Sequence, residues 1–446
     1  MSDPLSDDYP TPGEAWYAVG VLTLAYVFSF VDRQILSLLV GPIQRDLAID
    51  DVWMSLLMGF SFAVFYTLFG IPLGWLADTS NRRNVIAVGI AFWSVMTAGC
   101  GLARQYWTLA LMRMGVGVGE ATLSPSAYSM IADYFRPERR STAMSVYSMG
   151  IYIGSGLAFV LGGVVVQFAA REASVAVPWL GPIRSWQLVF FLVGLPGLLV
   201  ALLTWTTIRE PTRRGVAAGR ASVPLIEVWV HCAENAGTFL CLNLGVALVT
   251  LNAYGGTAWI PTLFSRRFGW TPGQAGIVFG LIVGIAGTLG VVGGGKLADW
   301  LHQRGRVDAN LRVALLGALG WLPFGLAYPL APTGVWTAVL LVPAIFFLSM
   351  PFGVAPAAIQ RITPNTMRAQ ATAVYLFVIN LIGLGCGATA VALFTEQVFE
   401  NQQALHRSLL AVGAITHLPA ALLLWLGLAR YRKSLVRLQA PTQPGP

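Results

Sequence analysis

Charge is scarce in this chain of 446 residues. Asp, Glu, Lys and Arg together make up 11% of it, against about 25% in ordinary soluble domains. With 56% hydrophobic residues and a mean hydropathy of +0.67, the chain cannot be a soluble globule, and most of its surface must face lipid. Cysteine is equally thin: Cys100, Cys232, Cys241 and Cys386 lie in or beside apolar runs without paired spacing, which argues against a disulfide framework or a zinc site. The four histidines, His231, His302, His406 and His417, are scattered and form no ligand pair, so neither metal nor cofactor is expected. There is no Asn-x-Ser/Thr acceptor. The acidic start (Asp3, Asp7, Asp8, Glu14) lacks a basic region ahead of an apolar core, so no cleaved signal peptide is expected.

Two lookalikes fail for want of a part. Gly290 to Leu297 lacks the Ser or Thr of a nucleotide-cradling loop and ends an apolar run instead of following a strand. Gly115-Val116-Gly117-Val118-Gly119 imitates a dinucleotide fingerprint inside a membrane span, where tight helix packing or a groove against substrate reads better. No nucleophile–base pair falls at mid-membrane, and an enzyme is not expected.

What the chain does have is length in apolar runs. Stretches able to span a bilayer, at about 20 residues each, read at 16–40, 53–77, 85–103, 106–132, 142–169, 187–208, 235–263, 274–299, 311–330, 335–360, 369–395 and 408–429. Twelve spans fall six to a half, and the halves repeat. Gly74-Trp75-Leu76-Ala77-Asp78 returns as Gly295-Lys296-Leu297-Ala298-Asp299, 221 residues later. Arg140 to Tyr147 returns as Arg368 to Tyr375, 228 residues later. Two matches at nearly one offset predict an all-α membrane protein of twelve transmembrane helices in two pseudo-symmetric six-helix bundles. The expected divisions are a tail at 1–15, a bundle at 16–208, a linker at 209–232, a second bundle at 233–430 and a tail at 431–446.

Orientation follows from the arginines and lysines. With both termini inside, the inner loops and tail hold nineteen and the outer loops seven, a decisive positive-inside bias. The net charge of +8 therefore reports topology and attraction to anionic membrane lipid, and no nucleic-acid partner is expected.

Four charges fall inside spans: Asp32, Arg33, Arg113 and Glu120. Sixteen residues separate Trp16 from Asp32, about 24 Å of helix, somewhat past the midplane. Arg113 and Glu120 share a helix face with Cα atoms about 10 Å apart. A charge at the bilayer centre costs at least ~2.5–3.5 kcal/mol, so four need a reason. One arrangement is a pair of ion pairs clipping the first span to the fourth. The other is a water-accessible pathway in which the carboxylates exchange partners and protons. Burial strengthens a carboxylate's hold on its proton and a nearby guanidinium weakens it, so moving the Arg switches proton affinity.

The second half has no Asp, Glu, Lys or Arg at mid-depth, and its polar residues are milder, among them Thr250, Asn252, Tyr254, Tyr375 and Asn380. If a site lies where the halves meet, one wall is charged and the other apolar, which suits an amphiphile. Arg33, Arg113 and Glu120 would meet its head, with Tyr26, Ser61, Tyr152, Thr250, Asn252, Tyr254 and Asn380 as further contacts.

Gly74 to Arg83, G-W-L-A-D-T-S-N-R-R, resembles the signature loop between the second and third spans of the major facilitator superfamily, and Gly295–Asp299 its weaker repeat. Phe30-Val31-Asp32-Arg33 and Arg113 to Ala121, continuing through Ser124, Pro125 and Ile131-Ala132-Asp133, resemble the first and fourth spans of Spinster-type transporters. Gly154 to Leu157 and Arg209-Glu210-Pro211 agree more weakly. That resemblance implies rocker-switch export or exchange of a lysophospholipid or sphingolipid-like molecule, coupled to protons, by a monomer in the bacterial cell membrane. It assigns Asp32 and Glu120 to proton coupling. Arg33 and Arg113 take head-group or ion-pair roles. The resemblance also makes Asp78, Arg82 and Arg83 an inner latch, with Asp299 in the repeat and further gate contacts at Asp133, Arg139 and Arg140. The alternative is a carrier of organic anions or other small metabolites, with Arg33 and Arg113 as the clamp.

Overall fold

A computed structural model describes residues 9–135, 137–169, 174–177, 181–212, 225–364 and 367–439. Thr11 caps the first helix, α1 (Pro12–Leu38): its hydroxyl accepts from the Glu14 amide, and the Glu14 carboxylate accepts from the Thr11 amide. A short α2 (Val40–Leu47) and α3 (Asp51–Ser55) lead through a π turn, Leu56–Phe60, into α4 (Ser61–Thr79). Asn81 caps α5 (Arg82–Cys100), which is followed by α6 (Tyr106–Glu120), α7 (Leu123–Tyr134) and α8 (Pro137–Ala169). An antiparallel hairpin of β1 (Ser174–Val177) and β2 (Gly181–Arg184), with Ser174 opposite Arg184, precedes α9 (Ser185–Thr207).

The second half runs α10 (Leu225–Glu234), α11 (Ala236–Phe268) and α12 (Pro272–Ile282). A π turn at Val283–Gly287 joins α12 to α13 (Thr288–Gln303), then come α14 (Ala309–Ala327) and α15 (Gly334–Arg361). The next span is α16 (Arg368–Ile379), a π turn (Asn380–Leu384), α17 (Gly385–Leu393) and a further π turn (Phe394–Val398). Last is α18 (Leu405–Gln439).

Among the described residues, eleven helical stretches are long and apolar enough to cross a membrane. The fourth span completes the twelve-helix all-α membrane fold, but it is not the continuous run that the sequence suggested. Pro125 has no N–H to give the Ala121 carbonyl and crowds it, so the ladder breaks between α6 and α7. Thr122 absorbs the break by donating to the Gly119 carbonyl through its amide (3.2 Å) and its hydroxyl (2.8 Å). The hairpin has no counterpart in the sequence reading either; Arg184 ion-pairs with Asp46 on α2, and the Trp186 indole donates to the same carboxylate at 2.6 Å.

The chain forms two compact units. One comprises Met1–Ala218 with Gly269–Gly284, the other Gly219–Phe268 with Ile285–Pro446. In the first, α12 packs on α8 where only glycine allows it: a Cβ on Gly276 would stand 2.5 Å from the Phe159 carbonyl oxygen. In the second, the Trp259 indole donates to the Ala388 carbonyl at 2.9 Å, and Trp321 stacks on His417 at 3.8 Å between centroids.

Candidate functional site

In the first unit α1, α4, α5 and α6 bring the four intramembrane charges together. Asp32, Arg113 and Glu120 are each 1–2% exposed. Arg33 Nε lies 2.5 Å from Glu120 Oε2, and the Ser29 hydroxyl donates to the same oxygen at 2.6 Å. The Arg33 guanidinium sits among three rings, 4.8 Å from the centroid of Phe30, 4.7 Å from Phe62 and 4.9 Å from Tyr66. Phe62 also lies 5.5 Å from the Arg113 guanidinium, so one ring is in reach of both cations.

The second ion pair that the four charges allow does not form. Thr97 donates to Asp32 Oδ2 at 3.1 Å, while Arg113 Nη1 reaches the Asp32 main-chain carbonyl at 3.2 Å. Within this group of charged side chains three buried polar atoms have no partner among the described residues: Asp32 Oδ1, Glu120 Oε1 and Arg113 Nε. A lone pair or N–H enclosed in this way costs on the order of 1–3 kcal/mol.

The glycine run of α6 serves packing. A Cβ on Gly115 would stand 2.7 Å from Met96, on Gly117 2.6 Å from the Phe62 carbonyl oxygen, and on Gly119 2.7 Å from Trp93. These glycines let α4 and α5 press against α6 and so hold Phe62 and Thr97 near the charges. Gly290, from the nucleotide-loop lookalike, likewise packs on the Phe346 carbonyl inside α13.

The other sequence candidates divide. Tyr26 stacks on Tyr147 at 4.6 Å and meets Phe30 edge-on at 5.2 Å, which ties it to the ring set around Arg33. Ser61 and Thr250 donate to the Leu57 and Val246 carbonyls of their own helices, so those hydroxyls are engaged locally. Tyr152 on α8 and Tyr254 on α11 are half-buried, and Asn380 opens the π turn of the eleventh span. Asn252 lines a narrow cleft inside the second unit with Thr257, Trp321 and Tyr328. Sequence reading missed Ser29, Phe62, Tyr66 and Thr97. Ser29 stands four residues before Arg33 on one helix face, the spacing that could have flagged it; the other three come from α4 and α5 and carry no local signal. His417, one of the scattered histidines of the sequence, is buried in α18 with both ring nitrogens unpartnered among the described residues.

At the helix ends Arg82 is the hub. Its Nη1 lies 2.5 Å from Asp133 Oδ2 and 2.8 Å from the Ser129 hydroxyl, and its Nε lies 2.7 Å from Glu210 Oε1. Glu210 also accepts from the Arg83 amide at 3.0 Å. Asp299 is exposed, and the side chains of Asp78, Arg139 and Arg140 lie outside the described residues. The second unit repeats this clamp with its signs reversed: Asp308 Oδ2 pairs with Arg432 Nη2 at 2.6 Å, and Asp308 Oδ1 with Arg312 Nε at 2.8 Å. Asp308 follows Arg82 by 226 residues and Arg432 follows Glu210 by 222, both close to the repeat offset.

Twelve membrane helices in a duplicated chain, with charges gathered inside one bundle and clamps at helix ends, are the architecture of a membrane transporter. The sequence profile of the Major Facilitator Superfamily matches residues 22–432, and the chain belongs to that family. It is 30% identical over 436 residues to an MFS-type efflux pump of Mycolicibacterium smegmatis (strain ATCC 700084 / mc(2)155), covering 95% of each chain. It is 24% identical over 406 residues to the sphingosine-1-phosphate transporter SPNS2 of Danio rerio, covering 86% of this chain and 77% of that one. Its fold matches the crystal structure of a bacterial homolog to the human lysosomal transporter Spinster, in an inward-facing and unoccupied conformation, with a TM-score of 0.77. The two are 27% identical, over 98% of this chain and all of the other. The protein is thus a multi-pass membrane transporter resembling the Spinster members of its family, and not an enzyme.

Proposed function

We propose that the protein moves a lipid-like amphiphile of the sphingolipid or lysophospholipid class across the bacterial cell membrane, coupled to protons, by rocker-switch alternating access. The observation that carries the reading is the set of three unpartnered buried atoms, Asp32 Oδ1, Glu120 Oε1 and Arg113 Nε, beside an arginine held by both a carboxylate and aromatic rings. A bundle clipped together by static ion pairs would satisfy these atoms; a site that exchanges partners leaves some of them open in each state.

The bonding around Glu120 supports proton coupling. Protonating Glu120 cancels the charge that holds Arg33, and the guanidinium is then available to an anionic head group. Losing the proton draws Arg33 back and expels the head. Arg113, whose fork meets no carboxylate among the described residues, is the second anion contact. Support for the amphiphile comes from the asymmetry of the halves, since only the first carries charges at mid-depth, and from the likeness to a sphingosine-1-phosphate transporter. We assign both termini and the linker 209–232 to the cytoplasm, from the excess of arginine on that side.

The test is uptake by purified protein in proteoliposomes of a fluorescent lysolipid or sphingoid phosphate, with and without an imposed pH gradient. Gradient-driven lipid movement that short organic acids do not compete with is expected. Gradient-driven movement of the short acids alone would replace the reading with that of an organic-anion carrier.

A further inference from the structure

The helix α10 lays one face against the bundle that follows it and leaves the other open. Val228 is buried and His231 Nε2 meets the Ile362 carbonyl at 3.0 Å, so that side of the helix faces the protein. On the opposite side Ile226 is 66% exposed, Trp229 69% and Val230 48%, at the i, i+3, i+4 spacing of one helical face. Asn235 alone separates α10 from the membrane-spanning α11, whose exposed Leu240 and Leu244 must face lipid. The apolar face therefore lies at the membrane boundary and continues into the lipid-facing stripe.

Basic residues close on the same junction from α18. Arg437 donates to the Glu234 carbonyl, the last of α10, at 3.1 Å, where a cation also complements the helix dipole. Arg430 packs over Gly237 and reaches Cys241 Sγ at 3.2 Å. Thr238 and Ser434 share a hydrogen bond of 2.8 Å. Arg430, Lys433 and Arg437 are all exposed, and the carboxylates on α10, Glu227 and Glu234, lie to one flank of its apolar face.

We infer that α10 and the end of α18 form a docking surface for anionic phospholipid, with Ile226, Trp229 and Val230 in the interface and Arg430, Lys433 and Arg437 on the phosphates. The charge complementarity and the continuity with lipid-facing α11 select the bilayer as occupant, because an interfacial helix pairs apolar anchors, a Trp among them, with a basic rim. Each basic side chain near an anionic surface is worth about a fivefold factor in affinity.

The test is amide hydrogen exchange of residues 225–234 in the full-length protein, in nanodiscs of phosphatidylcholine and of phosphatidylcholine mixed with phosphatidylglycerol. Both leaflets of a disc carry the same lipid, so the outcome does not depend on which side is cytoplasmic or on the transported substrate. Slower exchange in the phosphatidylglycerol discs is expected. Lys433→Gln with Arg430→Gln should sharply reduce that difference while leaving the rate in phosphatidylcholine unchanged, which also shows that the variant is folded. Equal exchange of the native protein in the two lipids, or a lipid-dependent difference that is undiminished in the double variant, overturns the proposal.

Discussion

Arg113 bonds to the main-chain carbonyl of Asp32, at 3.2 Å from Nη1, and leaves the Asp32 carboxylate to the hydroxyl of Thr97. Two opposite charges on facing helices thus share a bond without sharing a salt bridge. If Arg113 served only to neutralise a buried acid, direct pairing would lower the energy of both groups. Its orientation instead keeps the guanidinium beside Phe62 with Nε open.

The first prediction follows. Arg113→Lys keeps the charge but loses the planar fork, so affinity for an anionic amphiphile should fall about tenfold, the equivalent of one bidentate contact. Arg113→Ala should fall further. Binding of one lysolipid and one short anion by both variants checks this. A Lys variant equal to the native protein for both ligands leaves Arg113 as a counter-ion.

The two carboxylates should separate in stability while agreeing in function. Glu120→Gln removes the ion-pair partner of an Arg33 that is almost fully buried, and breaking such a pair costs about 3–5 kcal/mol. Asp32→Asn keeps an acceptor for Thr97 and leaves the Arg113 bond intact, because that bond is to the backbone. Both variants should lose gradient-driven transport, but only Glu120→Gln should melt well below the native protein. Native gradient-driven rates in both variants would remove the coupling role.

Gly117→Ala probes the packing that builds the site. Its Cβ would sit 2.6 Å from the Phe62 carbonyl oxygen, so α4 must retreat. Overpacking of this kind costs about 1–3 kcal/mol. Since Phe62 contacts both Arg33 and Arg113, head-group affinity should drop along with the melting temperature. Gly295→Ala, where nothing lies within 4 Å, is the matched control and should change neither.

Much of this was legible in the chain because membrane insertion writes itself into sequence. Apolar runs must match the bilayer, and charges inside them are too costly to be incidental, so the spans and Asp32, Arg33, Arg113 and Glu120 stood out unaided. The partners did not. Thr97 and Phe62 are ordinary residues of apolar helices, and only the close approach permitted by Gly117 and Gly119 makes them neighbours of the charges. Thr250 and Ser61 show the opposite case: a hydroxyl in a membrane helix looks fully available in sequence, and here each donates its proton to the turn before it. The break at Pro125 was visible as a proline, yet its consequence depends on Thr122 recapturing the Gly119 carbonyl. The reversed clamp escaped because a repeat search matches like with like, and Arg82 answers Asp308.

That clamp gives the last prediction, which concerns pH. Asp308 lies between two spans, and its carboxylate is 2% exposed. Burial works to raise its pKa, but hydrogen bonds from Arg312 and Arg432 outweigh burial and hold it below the ordinary carboxylate value. A carboxylate that binds its proton less tightly in the folded state stabilises the fold above its unfolded pKa, about 3.9 for Asp. That contribution is lost as pH falls through the lower, folded value. The melting temperature of the native protein should therefore drop as the medium is acidified below pH ~4, and Asp308→Asn should flatten this part of the profile while melting lower at neutral pH. Arg312 and Arg432 are more than a third exposed, so solvent screening keeps the effect modest and salt should shrink it. The difference between native and variant melting profiles isolates Asp308 from the other acids. A difference that does not change between neutral pH and acid would mean that Asp308 is not held by its arginines, and that the clamp of the second half contributes shape without charge.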